Sequence, residues 1–128
     1  MKLRDLLDDI RWRMNILNQI AKKIKKRDDL LDPILRGALE RYLETIIVDF
    51  IDFGSHLIAK KGLRKPTKYR EIPAILYESN IIDYELMKIF DEIIGFRHVL
   101  AHVYRRVDLD KLFWTLGGGI KNLKKLLI

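Results

Sequence analysis

The apolar residues of this 128-residue chain recur at helical spacing almost from end to end. Leu3, Leu7, Ile10, Met14, Leu17, Ala21 and Ile24 alternate steps of four and three, with Arg4, Asp8, Arg11, Asn15 and Lys22 turned the other way. That period describes one amphipathic helix over residues 2–27. Asp32-Pro33 then restarts the chain, the aspartate as N-cap and the proline in the first turn, where its missing N–H costs nothing. The second helix is expected over residues 33–61. Its apolar set, from Leu35, Ala38 and Leu39 through Leu43, Ile46, Ile47, Phe50 and Ile51 to Leu57 and Ile58, is wider than one stripe. A helix apolar over most of its circumference is packed on several sides, so this one is central. Gly62 is its stop signal.

A basic loop with Pro66 follows, then a short helix over residues 70–80 with Pro73 in its first turn. A third long helix is expected from about Asp83 into residues 101–104. A last one covers residues 109–127 through Leu109, Leu112, Phe113, Leu116, Ile120, Leu123 and Leu127. Gly117-Gly118-Gly119 lies inside it. Three glycines cost roughly 2–3 kcal/mol against alanine in a helix, which points to a kink, a break or a close contact there. No stretch alternates with the period of a strand. The expectation is an all-α protein: an antiparallel bundle of four long helices plus one short helix, in a single domain over residues 1–128.

Composition narrows the chemistry. The chain is 48% hydrophobic and 34% charged with both signs mixed, as a folded domain requires, and it is long enough for a core that needs no cross-links. It has no cysteine, which excludes disulfides, thiolate metal sites and cysteine nucleophiles. Charges interrupt the first 13 residues, unlike a signal peptide. No apolar run approaches the ~20 residues that span a bilayer. A soluble, cytoplasmic protein without a membrane partner is expected. The formal net charge of +7 favours polyanions such as RNA, although Lys- and Ile-rich chains also occur in thermophiles without that role. Two basic runs stand out. Residues 22–27 hold five bases in six positions, and residues 60–70 carry six bases and no acid.

The candidate chemistry sits in Arg97-His98-Val99-Leu100-Ala101-His102-Val103-Tyr104, which contains two of the chain's three histidines. An arginine and a histidine held together are the minimum for cleaving a phosphodiester without a metal. At ~100° per residue, Arg97 and Tyr104 share a helix face, ~20° apart, while His102 lies ~140° from Arg97. Either the helix unwinds near Ala101 or a second copy of the chain completes the pair. His98 and His102, four apart, also share a face. They could equally be surface residues, and Arg97 with Tyr104 a stacking pair. As a metal site the two histidines lack a third ligand nearby, because His56 belongs to another helix and no HExxH pattern is present. No metal and no cofactor is expected.

Arg97-x4-His102-x-Tyr104 resembles the R-x4-H-x-Y signature of the HEPN superfamily in its HepT-like toxin branch. Phe50-Ile51-Asp52-Phe53-Gly54-Ser55-His56-Leu57-Ile58 is similar to the family's second-helix segment. Residues 62–71 resemble the proline-containing loop that follows. His98 departs from the pattern, standing where relatives often carry asparagine. The resemblance implies a toxin of a toxin–antitoxin pair acting as a metal-independent endoribonuclease on RNA. Arg97 and His102 correspond to the catalytic pair in a homodimer whose two motifs face one cleft. The partner it implies is a cognate minimal nucleotidyltransferase antitoxin that adds AMP to the motif tyrosine, Tyr104. His98 and Asp52 are supporting candidates. Asp52 shares a face with His56, and the two either face the motif and orient it or form a buried polar pair or a dimer contact. The chemistry fits the residue types. RNA carries its own nucleophile, the 2′-OH, so the protein needs only a base near neutral pH and a fixed cation for the phosphate. Two other readings share the helices: a non-catalytic HEPN module that binds RNA or nucleotide or docks its nucleotidyltransferase, and a structural helical dimer.

Overall fold

The structure, a computed structural model, describes residues 3–101 together with Lys121 and Lys125. Its elements are α1 (Leu3–Lys22), a 3₁₀ helix (Arg27–Leu31), α2 (Pro33–Lys60), α3 (Glu71–Glu78) and α4 (Tyr84–Ala101). The architecture is all-α, with no strand among the described residues. The expected last helix over residues 109–127, with Gly117 to Gly119, lies outside the described residues except for Lys121 and Lys125, both helical and exposed.

α1 is shorter than its apolar period suggests. It stops at Lys22, not at residue 27, and tightens through Lys23 N to Ile20 O (3.0 Å) and Ile24 N to Ala21 O (3.1 Å). The cause lies downstream. The Asp29 carboxylate accepts from Lys25 N (2.8 Å) and Lys26 N (3.1 Å), taking two donors that a longer helix would need for its own ladder. Those two bonds hold the Asp29 carboxyl below its usual range. The buried face is also turned from the expected seam: Leu6, Ile10, Met14 and Leu17 are buried, whereas Leu3 and Leu7 are only half-buried. Ile24 still reaches the core from beyond the helix end, and Leu30 of the 3₁₀ helix is fully buried.

α2 begins as its sequence requires. Asp32 Oδ1 accepts from Ile34 N (2.9 Å) and Leu35 N (3.5 Å), and Pro33 occupies the first turn. Such a cap contributes about 1 kcal/mol. Leu39, Leu43, Ile46, Ile47, Phe50, Ile51 and Ile58 are all buried, and α2 touches α1, the 3₁₀ helix, α3 and α4. It is the central helix because it is apolar on several sides. Each buried aliphatic side chain of this size contributes roughly 1.5–3 kcal/mol. At its end Gly62 takes φ +66°, Gly62 N donates to Ala59 O and Leu63 N to Ile58 O. This is a Schellman stop, in which the left-handed residue is most easily a glycine. Asn80, with φ 61°, ends α3 with the same pair of bonds.

α3 and α4 pack on α2 and on each other. Pro73 lies in the first turn of α3, as expected, and is buried. Asp83 caps α4 through Leu86 N (2.8 Å). Ile89, Phe90, Ile93 and Ile94 bury its inner face, with Phe90 edge-on to Phe50 at 6.4 Å. Between α1 and α2, Arg13 Nη1 donates to Asp49 Oδ2. Asp49 is 9% exposed, the one buried charged residue among those described. Burial pushes its carboxyl up, against the opposing pull of Arg13. No described helix is long and apolar enough to cross a membrane.

Candidate functional site

The site is built where the basic loop meets α4. Glu71, at the start of α3, folds the end of the loop onto itself: its Oε2 accepts from Thr67 N (2.6 Å), Thr67 Oγ1 (2.9 Å) and Lys68 N (3.2 Å). These donors hold the Glu71 carboxyl below its usual range, Thr67 contributing most. Arg64 ties the other side of the loop to Glu78 of α3 (3.2 Å). Arg70 then crosses to α4 and grips Asp91 with two parallel bonds, Nε to Oδ1 (3.0 Å) and Nη2 to Oδ2 (3.1 Å). This two-pronged match is the geometry that a guanidinium offers a carboxylate.

Gly95, one turn beyond Asp91, leaves room for that crossing. A Cβ there would stand 2.9 Å from Arg70 Nη1. The neighbouring loop residue, Tyr69, is carried onto Arg97, whose Cζ lies 5.6 Å from the centre of the tyrosine ring. A guanidinium over an aromatic face is attracted by the ring's electron density. Arg97 is half-buried, and no carboxylate or carbonyl among the described residues takes its N–H donors. Its charge is oriented by a ring, with no acid among the described residues to neutralise it.

Of the site residues expected from the sequence, Arg97 is therefore positioned near the C-terminal end of α4. His98 follows it on the same helix. α4 remains helical through Ala101, so no unwinding occurs up to that residue. His102 and Tyr104 lie outside the described residues. Asp52 is on α2 and exposed, and its carboxylate makes no hydrogen bond or ion pair among the described residues. Its backbone carbonyl instead meets His56 Nδ1 at 2.8 Å. A carbonyl only accepts, so Nδ1 carries the proton in that bond and Nε2 is the basic nitrogen of the neutral ring. The shared face of Asp52 and His56 is thus a backbone-to-ring contact. Among the described residues, no cluster of three or more His, Asp or Glu side chains is arranged to hold a metal ion.

Tyr69, Arg70 and Asp91, which organise this corner, are not among the candidates that the sequence pattern singles out. Their signal is an aromatic beside an arginine at the end of the basic loop, and an acid and a glycine four apart on α4 just ahead of Arg97. An acid and a small residue on one helix face mark a place where a long basic side chain can lie flat.

Comparison with known proteins agrees with this architecture. The HepT-like family, described as Ribonuclease HepT-like, matches residues 10–128. The chain belongs to that family. Among solved structures, the fold is similar to that of a tri-AMPylated Shewanella oneidensis HEPN toxin in complex with MNT antitoxin, at TM-score 0.84 and 17% identity, over 99% of this chain and 96% of that one. It is also similar to a toxin–antitoxin structure with AMP-PNP, at 0.84 and 16%, over 98% and 93%. A third likeness is YutE of Bacillus subtilis, a cytosolic protein of unknown function, at 0.70 and 19%, over 94% and 84%. No curated protein matches the chain.

Proposed function

We propose that this chain is the toxin of a toxin–antitoxin pair and cleaves RNA as a metal-independent endoribonuclease. The observation that carries the reading is Arg97, held by the Tyr69 ring with its N–H donors engaged by no acid among the described residues, beside a basic loop. A structural arginine at such a place is normally matched to a carboxylate, as Arg70 is to Asp91. In the proposed reaction the RNA 2′-OH attacks the adjacent phosphorus while His102 takes its proton. Arg97 stabilises the charge that builds on the phosphate oxygens. The bond to the 5′-oxygen breaks, and that oxygen leaves with a proton from a second acid–base group. The products are a 2′,3′-cyclic phosphate and a 5′-OH. A homodimer brings two Arg97–His102 pairs to one cleft and divides the base and acid roles between copies. Trp12, Leu31 and Ile34, large and exposed, supply apolar surface for association. The 128 residues act as one domain, and His98 and Asp52 serve as supporting groups.

The partner is a minimal nucleotidyltransferase, and its AMP addition to Tyr104 places negative charge at the mouth of the site and repels RNA. The likeness to an AMPylated toxin held by an MNT antitoxin supports this reading. The test is cleavage of single-stranded RNA in chelator by wild type and His102→Ala, with product ends identified. Cyclic-phosphate ends from the wild type alone are expected, and equal activity of the two proteins removes the assignment. Intact mass after co-expression with the partner is expected to show AMP-sized additions that Tyr104→Phe abolishes.

A further inference from the structure

Beside Tyr69, between α2 and the basic loop, lies a trough of about 450 Å³. Its walls divide by chemistry. Pro66, Ile72 and the Tyr69 ring are apolar or aromatic, while Lys65, Lys68 and the Ser55 hydroxyl supply donors. No carboxylate among the described residues pairs with Lys65 or Lys68. The neighbouring acids are already engaged: Glu71 by the Thr67 and Lys68 donors, Glu78 by Arg64, Asp91 by Arg70. Thr67 has likewise committed its hydroxyl proton to Glu71. Two lysines beside an apolar wall and an exposed ring thus have no counter-charge among the described residues.

We propose that this trough is a subsite for single-stranded RNA, in which Lys65 and Lys68 hold the phosphate, and the Tyr69–Pro66–Ile72 wall the base, of a nucleotide adjoining the phosphodiester at Arg97. The proposal rests on the ribonuclease reading above. Three observations favour a strand over other occupants. Tyr69 is common to both places, lining the trough and lying under Arg97, so one ring separates the two cationic sites. The trough is open, whereas a small-molecule pocket encloses most of its ligand. An exposed aromatic flanked by unpaired bases is how proteins hold unpaired nucleotides, by stacking on the ring and tracking the backbone with charge. The loop is fixed in advance by Glu71, Arg64 and Arg70, so little ordering opposes binding.

The test separates this subsite from the cleavage centre. A short 2′-O-methylated single-stranded RNA oligomer has no 2′-OH to attack and reports binding alone. Lys65→Ala/Lys68→Ala is expected to weaken its binding about tenfold at low salt. The slope of log affinity on log salt should fall by about 0.7 for each phosphate that the variant no longer neutralises. Tyr69→Leu is expected to weaken binding with the salt slope unchanged. In cleavage, the lysine double variant should raise KM more on a longer strand than on a dinucleotide, which has one phosphodiester. A wild type that binds the methylated oligomer through these lysines but cuts nothing would overturn the ribonuclease reading and leave the subsite standing. Unchanged oligomer binding in the double variant overturns the subsite. So does unchanged RNA binding with failure to retain the co-expressed nucleotidyltransferase, which would make this face a protein interface.

Discussion

Two arginines divide the molecule. Arg13, between α1 and α2, meets a carboxylate that burial has made costly to ionise. Arg97, near the end of α4, meets an aromatic ring and no acid among the described residues. The first contact belongs to the packing of two long helices, where a charge taken out of water must find its opposite. The second leaves the charge oriented and available. A cation that is to hold a phosphate cannot already be neutralised, and a ring can position a guanidinium without competing for its N–H donors. The α1–α2 seam thus uses arginine to satisfy the fold. The α4 corner commits other groups, Arg70 to Asp91 and Glu71 to its loop, and among the described residues keeps a different arginine clear of acids.

The largest expected effect tests the Arg97 side of that contrast. Arg97→Ala should lower kcat/KM for RNA cleavage by about 10²–10³-fold, the usual cost of removing one preorganised donor group from a developing anion. Arg97→Lys should recover only part, because an ammonium keeps the charge but lacks the planar fork. Unfolding midpoints of both variants should stay near wild type, since no buried partner is orphaned. A loss of activity matched by a loss of stability would make Arg97 a structural arginine like Arg13.

On the other side, Arg13→Met should cost about 2 kcal/mol near neutral pH. That is less than the roughly 3–5 kcal/mol expected for a fully buried pair because Arg13 is partly exposed. The cost should shrink as pH falls. The Asp49 carboxyl is raised in the folded protein by burial and pulled down by Arg13, so removing Arg13 raises it further. A group whose folded value lies above its unfolded one favours folding when protonated, and that contribution is lost as pH rises through the folded value. Asp49 therefore destabilises the variant most where it must ionise. Glu71 has the opposite sign: its folded value is lowered, so its contribution is present above the ordinary glutamate range and lost as pH falls through the folded value. Urea titrations of wild type and variant at neutral and mildly acidic pH read the difference directly. A cost that grows toward acid would reverse the assignment for Asp49.

Much of this was legible one residue at a time. Asp32-Pro33 announced a helix start because a cap is a local event, decided within a turn. Gly62 announced a stop for the same reason. The end of α1 was not legible, because the period continues through Ala21 and Ile24 while the residue that stops the helix, Asp29, sits seven positions past Lys22 and acts through its side chain. The exact buried face was hidden similarly: Leu6 and Leu7 are neighbours in sequence, and only packing against α2 decides between them. At the candidate site Arg97 was legible from its spacing to His102 and Tyr104. Its platform was not, since Tyr69 is twenty-eight residues away and arrives only when Arg70 docks on Asp91.

The smallest effect sharpens the contrast by loosening that docking without touching either arginine of the comparison. In Gly95→Ala the new Cβ falls 2.9 Å from Arg70 Nη1, but the obstructed atom is the far end of a flexible chain and can swing aside. Alanine in a helix is favoured by about 1 kcal/mol over glycine, and an exposed ion pair such as Arg70–Asp91 is worth about 0.2–1 kcal/mol. The two should nearly cancel, leaving the unfolding free energy within about 0.5 kcal/mol of wild type. What changes is local: with Arg70 displaced the loop is held to α4 less firmly, so limited trypsin digestion after Arg64 and Lys68 should accelerate several-fold. Unchanged digestion would mean that Arg70 does not anchor the loop. A loss of stability well beyond this range would mean that Arg70 cannot move aside, and that the α4 corner is as rigidly structural as the Arg13–Asp49 seam.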